Sequence, residues 1–337
     1  MEGGMKKILM IGTGGTIASE MTSDGLSPEL TPEQLVNYVP AISRMCDVKC
    51  LQLFSIDSTN MTPDHWVKVV RCVRDNYDLY DGFVISHGTD TMAYTAAALS
   101  YMIQGSPKPI ILTGAQKPIN FDNTDSKINL QDAFTCACAD GMSGVNIVFN
   151  GKVILGTRAR KTRSKSFQAF SSINYPDVAT LQDGYLMQYI KQDSLPRPEF
   201  CDTLDTAVGL VKMIPGIDFE LLEYMLSRKD AVIIESFGVG GLPSYNSDRF
   251  FDIIIEKGIQ RGKYIIMTTQ VQNEGSNLAV YNVGHRLKGW RYVLEAYDMT
   301  TESVLAKIMW ILGRTSDEKE VTELFYRPVA NDILYRG

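Results

Sequence analysis

The chain has 337 residues, enough for two ordinary domains, with 45% hydrophobic and 21% charged residues, the balance of a soluble globular protein. A formal net charge of −6 argues against a general nucleic-acid or anionic-membrane binder, because those partners reward cationic surfaces. No stretch approaches the roughly 18 consecutive apolar residues of a membrane helix.

The chain opens with Met1-Glu2-Gly3-Gly4, which reads as a dispensable leader, and then Met5-Lys6-Lys7 ahead of Ile8-Leu9-Met10-Ile11. Four apolar residues are too few for the central region of a signal peptide, roughly 7–15 long. They read instead as a first strand, and the expected location is cytoplasmic. The strand runs into Gly12-Thr13-Gly14-Gly15-Thr16. Such a turn serves backbone geometry alone, a nucleotide, or catalysis. A dinucleotide fingerprint needs glycine where Ile17 stands, and a phosphate loop needs Gly-Lys-Ser/Thr, which is absent. In the catalytic reading, glycines let backbone approach a substrate and a threonine hydroxyl stands beside free N–H groups able to hold an oxyanion.

Thr62 ahead of Pro63 and Asp64 marks a helix start, and the helix is expected over Pro63–Asn76. A strand Phe83–Ser86 follows, closed by His87-Gly88-Thr89-Asp90-Thr91, and then an alanine-rich helix over Thr91–Ile103. Asp90 and Thr91 read either as helix caps or as a site in which the carboxylate holds an ammonium. His87 is one of three histidines, with His65 and His285, and reads as structural, since nothing marks a Ser/His/Asp arrangement. Three scattered histidines leave little for a metal.

A strand Pro109–Leu112, a helix Asp122–Ala139, and a hairpin of Val145–Phe149 with Lys152–Leu155 around Asn150-Gly151 complete the alternation. This pattern predicts a parallel sheet with helices on both faces. In such sheets ligands bind at the carboxyl ends of the strands, where both Thr/Gly clusters fall. The run Arg158–Lys165 carries five basic residues in eight positions. It reads as a solvated loop, a nucleic-acid patch, or a place for a lysine base with lowered pKa.

From about Tyr185 to Asp205, prolines and scattered charges suggest a connection. The pattern then restarts: strand Val208–Met213, helix Asp218–Arg228, strand Ala231–Ser236, helix Arg249–Lys257, strand Tyr264–Thr268 and helix Glu302–Leu312. The expected architecture is two α/β domains, a larger N-terminal one with a mostly parallel sheet (1–190) and a smaller one with a parallel sheet (208–337), joined by a linker (191–207). Six cysteines show no disulfide framework and are expected to be reduced thiols.

Taken together, Ile11–Ser19 and Val84–Ala93 resemble the two signature motifs of the bacterial-type L-asparaginase family, in its cytoplasmic type I branch. The segments Asp57–Pro63, Thr113–Pro118, Gly156–Lys161 and Ser236–Gly241 are similar as well. The resemblance covers nearly the whole chain. It implies hydrolysis of L-asparagine to L-aspartate and ammonia without metal or organic cofactor, in a homodimer or homotetramer. By the same resemblance Thr16 is the nucleophile that forms a β-aspartyl ester, and Thr89, Asp90 and Lys161 form the second catalytic group. Asp57, Ser58 and Asp90 hold the substrate's α-carboxylate and α-ammonium, with Thr59 and Gly88 completing the binding set.

One departure stands out. The family often places a tyrosine in a lid loop about ten residues after the nucleophile. Ser19–Pro28 is expected to be that lid, but it carries Leu26, which has no polar atom to exchange a proton. Tyr281 or Tyr245, from the second domain or a neighbouring protomer, is the candidate replacement. Alternatives to an asparaginase are a glutaminase-asparaginase of mixed specificity, the amidase component of a tRNA-dependent amidotransferase, and a non-catalytic amino-acid sensor on the same scaffold. The amidotransferase component is expected to carry an additional N-terminal domain, where fifteen residues precede Thr16.

Overall fold

The computed structural model describes residues 4–23, 25–245, 248–280 and 285–334. The chain divides into two compact units, Met1–Asp202 and Thr203–Gly337.

The first unit is built on strands β1 (Lys7–Gly14), β4 (Asp47–Ile56), β5 (Gly82–Ser86), β7 (Pro109–Thr113), β8 (Gly144–Phe149), β9 (Lys152–Leu155), β12 (Ala179–Gln182) and β13 (Tyr185–Gln188). They form one sheet in the order β13-β12-β9-β8-β7-β5-β1-β4. The five strands from β8 to β4 are parallel, and β8, β9, β12 and β13 pair antiparallel. The mostly parallel sheet agrees with expectation. β5 and β7 are buried along their whole length, which is why they read as continuous apolar runs rather than alternating ones. The β8–β9 hairpin turns at Asn150 and Gly151, with φ of 50° and 72°, the left-handed pair that such a turn demands.

Helices carry the crossovers. The helix Pro63–Asn76 starts with a reciprocal cap between Thr62 and His65. The helix Met92–Met102 is buried on nearly every side. One face of the sheet packs Met10, Val84, Ile111 and Val148 against Leu35 and Val36 of helix Pro32–Asn37 and Leu130 and Phe134 of helix Ser126–Cys138. Each such side chain contributes about 1.5–3 kcal/mol by leaving water.

Several parts of this unit go beyond the expected elements. The proposed lid is a two-stranded ribbon, β2 (Ser19–Thr22) with β3 (Gly25–Pro28), in which Met21 faces Leu26. Its base is tied down by Ser55 Oγ donating to Pro28 O at 2.7 Å. The edge strand β4 lies where no strand was expected; its exposure alternates because only one face meets the core. Residues 191–202, expected as linker, run along the first unit. Leu195 N donates to Gly105 O at 2.8 Å, and β14 (Glu199–Phe200) pairs with β6 (Ile103–Gln104). Phe200 packs edge-on to Tyr77 at 5.4 Å. An aromatic anchor and ladder bonds hold a segment whose prolines suggested a free connection. A small hairpin, β10 (Ala159–Lys161) with β11 (Phe170–Ser172), completes this unit.

The second unit has a parallel sheet in chain order, β15 (Val208–Lys212), β16 (Ala231–Ser236), β17 (Tyr264–Thr269) and β18 (Val293–Glu295). Helix Arg249–Ile253 widens into a π turn over Ile254–Gly258. Beneath helix Thr301–Leu312, Lys307 Nζ meets Asp332 Oδ2 at 2.6 Å with both side chains wholly buried, and Nζ also donates to Arg327 O at 2.9 Å. This buried pair fastens the C-terminal segment to the helix. Among the described residues no helix is long and apolar enough to cross a membrane.

Removing one partner of a buried ion pair strands the other charge, at a cost of about 3–5 kcal/mol. Lys307→Met is therefore expected to lower unfolding free energy by about that amount in urea titration. A loss under about 1 kcal/mol contradicts the role given to the pair.

Candidate active site

The strand order β4-β1-β5-β7 doubles back about β1, since β1 lies between two strands that follow it in the chain. At such a switch point the chain leaves neighbouring strands in opposite directions and opens a crevice at their carboxyl ends. Four adjacent strands end there in polar turns.

After β1 the chain passes Gly14 and Gly15, with φ of +98° and +80°, conformations that glycine adopts without strain. Thr16 then opens a single 3₁₀ turn, Thr16–Ala18. A Cβ on Gly14 would lie 2.5 Å from Ile56 N, and one on Gly15 would overlap the Gly88 backbone. A Cβ on Gly88 would lie 2.5 Å from Ser58 Oγ. The turns after β1, β4 and β5 therefore touch backbone to backbone, and Thr16 and Thr89 each follow a glycine of that contact. Thr13 Oγ1 donates to Ser86 O at 2.8 Å, and Gly15 N to Ile56 O at 3.0 Å, locking the three turns.

Lys161, the last residue of β10, reaches this junction. Its Nζ donates to Thr89 Oγ1 at 2.8 Å and to Asp90 Oδ1 at 2.7 Å. Thr89 is 5% exposed, whereas the Lys161 and Asp90 side chains are 17% and 58% exposed. With one partner this open, the ion pair contributes under about 1 kcal/mol to stability; its effect is to aim the amine. Thr91 stands at the N-cap of the following helix but makes no side-chain capping bond. Asp90 faces Lys161, and Thr91 Oγ1 donates to Ser58 O at 2.8 Å. The rest of the basic run disperses: Arg158 is fully buried, with its guanidinium over the Tyr175 ring, while Arg163 and Lys165 are exposed.

Of the remaining expected residues, Ser58 is buried and Asp57 and Thr59 are exposed. Asp57 Oδ1 accepts from Thr59 N at 2.8 Å and Thr59 Oγ1 at 2.9 Å, so one carboxylate oxygen shapes its own turn. Tyr245 donates to Ile217 O at 3.3 Å and stacks on Phe219 within the second unit. Tyr281 lies outside the described residues.

Two residues without an assigned role belong to this neighbourhood. Thr89 Oγ1 donates to Gln116 Oε1 at 3.3 Å, and Gln116 Nε2 donates to Ser166 O at 3.1 Å. The amide thus bridges Thr89 to the loop beyond Lys161. Buried Asp125 accepts from Gln116 N at 3.0 Å and Lys117 N at 3.1 Å, which fixes the turn; burial raises its pKa and these bonds pull it back. The signal was present in Thr113-Gly114-Ala115-Gln116, a polar turn after a buried strand.

His87 is structural, as its surroundings show. It is fully buried. Nδ1 donates to Gly88 O at 2.7 Å, which leaves Nε2 to accept from Thr95 Oγ1 at 2.8 Å. Trp66 Nε1 donates to Thr95 Oγ1 at 3.0 Å. The neutral ring satisfies every partner and orients the Gly88 carbonyl. Burial lowers its pKa to about 4. Among the described residues no three His, Cys, Asp or Glu gather as a metal-ligand set.

Comparison with known proteins yields two family matches, "Asparaginase, N-terminal" over residues 7–193 and "Glutaminase/Asparaginase C-terminal domain" over residues 207–325. An L-asparaginase of Thermococcus kodakarensis is 38% identical, covering 97% of this chain and 99% of its own. The structure of the thermostable L-asparaginase from that organism superposes with a TM-score of 0.91 at 36% identity, over 98% of this chain and 100% of the other. L-asparaginase I from Vibrio cholerae gives 0.86 at 30% identity, with the same coverage. A component of the glutamyl-tRNA(Gln) amidotransferase of Pyrococcus abyssi is 33% identical over 98% of this chain and 77% of its own length.

The His87 environment predicts a pH dependence. An unfolded histidine takes up its proton near pH 6.5, while the folded one resists until about 4. Stability from the neutral ring is therefore complete above about pH 6.5 and lost as pH falls toward 4. His87→Gln retains a donor and an acceptor without titrating. Its unfolding free energy is expected to fall less steeply than wild type over this range; equal slopes contradict the assignment.

Proposed function

The chain belongs to the asparaginase family, and on that premise we propose that it hydrolyses the side-chain amide of L-asparagine through an ester on Thr16. The observation that carries this reading is the contact of Lys161 Nζ with both Thr89 Oγ1 and Asp90 Oδ1, at the junction where the Gly15 and Gly88 backbones meet. A threonine hydroxyl needs a base to become a nucleophile. Lys161, acting through Thr89, is the base that takes this proton. The Thr16 oxygen attacks the amide carbon, and the tetrahedral oxyanion is held by peptide N–H groups around Thr16 and Thr89, each worth about 3 kcal/mol. Collapse returns a proton to the departing ammonia and leaves a β-aspartyl ester. Water enters, the same base takes its proton, and L-aspartate leaves Thr16 free.

Asp90 receives the substrate's α-ammonium; Asp57, Ser58, Thr59 and Gly88 complete the cradle for the amino-acid head group. On the same premise the protein works in the cytoplasm as a homodimer or homotetramer, without metal or organic cofactor. Leu26 has no polar atom to exchange a proton, so the group that activates Thr16 comes from outside the ribbon.

A second reading, with glutamine as an amide donor, draws on the likeness to the glutamyl-tRNA(Gln) amidotransferase component. Ammonia release from asparagine and from glutamine by the purified protein separates the readings: preferential release from asparagine is expected, and preferential release from glutamine favours the second. Tight binding of either amino acid without turnover points to a sensor. Thr16→Ala and Lys161→Met are each expected to cut kcat by about a thousandfold or more, with thermal unfolding cooperative as in wild type. Near-normal turnover in either variant overturns its role.

A further inference from the structure

On the premise of amide hydrolysis through Thr16, we propose that Gln116 is a positioning residue: its side-chain amide takes the Thr89 hydroxyl hydrogen, keeps an Oγ1 lone pair turned to Lys161, and holds the loop that follows Lys161.

The orientation of the amide is fixed by its partners. A glutamine side chain has an accepting oxygen and a donating NH₂ group, and their places follow from what each one meets. Nε2 donates to Ser166 O at 3.1 Å, a carbonyl that can only accept. Oε1 therefore faces the other way, where it accepts from Thr89 Oγ1 at 3.3 Å. Thr89 Oγ1 in turn accepts from Lys161 Nζ at 2.8 Å. The three bonds donate in one direction, from the amine through the hydroxyl and the amide to the Ser166 carbonyl.

That direction suits the relay. An ammonium only donates, and a hydroxyl has a single hydrogen. Once the amine holds the proton, the Thr89 hydrogen needs an acceptor other than Nζ, and Thr89 is only 5% exposed, so bulk water is a poor substitute. Gln116 Oε1 is the acceptor in place. During attack the Thr16 O–H bond breaks as a Thr89 O–H bond forms, the former Thr89 hydrogen bonds to Lys161 Nζ, and the new hydroxyl hydrogen turns to the amide. At 3.3 Å the Thr89–Gln116 bond is long for a hydroxyl donor, which leaves that hydrogen free to exchange.

The surroundings hold the amide still. Gln116 N donates to both Asp125 carboxylate oxygens, at 3.1 and 3.0 Å, and Lys117 N donates to Oδ1 at 3.1 Å. The turn after β7 is thus anchored through its backbone, and exchanging the Gln116 side chain leaves that anchor in place. Ser166 belongs to the loop between β10, which ends at Lys161, and β11. Thr162 N donates to Ala169 O at 2.8 Å across the neck of this loop, and Lys117 Nζ stands 5.7 Å from the Phe167 ring centre. One amide therefore touches both the Thr89 hydroxyl and the segment that delivers the amine.

The test compares ammonia release by wild type, Gln116→Met and Gln116→Glu, with asparagine and with glutamine. Methionine keeps the length and removes both bonds; glutamate keeps an oxygen for Thr89 and loses the donor to Ser166 O. In Gln116→Met, kcat is expected to fall about five- to tenfold, the scale of one hydrogen bond, with KM within about twofold and unfolding as cooperative as in wild type. Gln116→Glu is expected to recover most of that loss. Wild-type kcat in Gln116→Met, an equal loss in both variants, or a loss confined to KM overturns the proposal. Failure of the hydrolytic premise shows separately, as no ammonia from either amino acid with the wild-type protein. The positioning is then read without turnover, from the ¹H–¹⁵N signal of the Lys161 ammonium, assigned by its absence from Lys161→Met. A shift of that signal in Gln116→Met is expected, and an unchanged signal overturns the proposal.

Discussion

Two glycine backbones in contact set the geometry of the candidate site. Gly15 ends the turn after β1 and Gly88 the turn after β5, and there is no room between them for a Cβ. Parallel strands lie roughly 4.8 Å apart, so turns leaving neighbouring strands normally diverge as soon as side chains intervene. Omitting two methyl groups keeps them together one residue longer, and the next residue on each side is a threonine. The site is thus a consequence of sheet spacing and of two missing side chains, reinforced by Thr13 reaching Ser86 O and by His87 holding the Gly88 carbonyl.

Around that contact the polar groups form a graded set. Deepest are groups whose work is positional: neutral His87, held between Gly88 O and Thr95 Oγ1, and Asp125, which accepts from the Gln116 and Lys117 N–H groups. Next comes Thr89, nearly buried, between the Lys161 amine and the Gln116 amide. Outermost are Asp90, Asp57 and Thr59, open to solvent. Fixed groups below and open ones above suit a crevice that admits a zwitterionic amino acid and meets its reacting amide with oriented hydroxyls. The ribbon β2–β3 rises directly from the Thr16 turn, with Glu29 and Leu30 N donating to Ala18 O. The ribbon begins at Ser19, three positions after Thr16.

Much of this was legible in the chain. β1 and β5 announce themselves because a strand buried on both faces is an uninterrupted apolar run, and helix Pro63–Asn76 because Thr62-Pro63-Asp64 is a start signal with a physical cause. The edge strand β4 was not legible: Asp47-Val48-Lys49-Cys50 alternates weakly and has no punctuation. Helix Glu318–Tyr326 was missed for a related reason, since only Val321, Leu324 and Phe325 are buried. The site shows the same limit. Residue types in the turns were readable, but the arrival of Lys161 from a hairpin 71 positions away from Asp90 was carried only by family resemblance. Capping was a fair reading of Asp90 and Thr91 until their partners were visible. The turn holding Gln116 was legible as a polar turn after a buried strand, but the bond of its amide to Thr89 was not, because it depends on how two turns meet.

The proposed reaction passes through acylation of Thr16, and the direct measurement is rapid acid quench of the enzyme turning over L-asparagine, followed by peptide mass mapping. A β-aspartyl adduct on the peptide containing Thr16, absent from Lys161→Met and without a counterpart elsewhere in the chain, is the predicted result. An adduct on Thr89 or any other side chain, with Thr16 unmodified during active turnover, would contradict it.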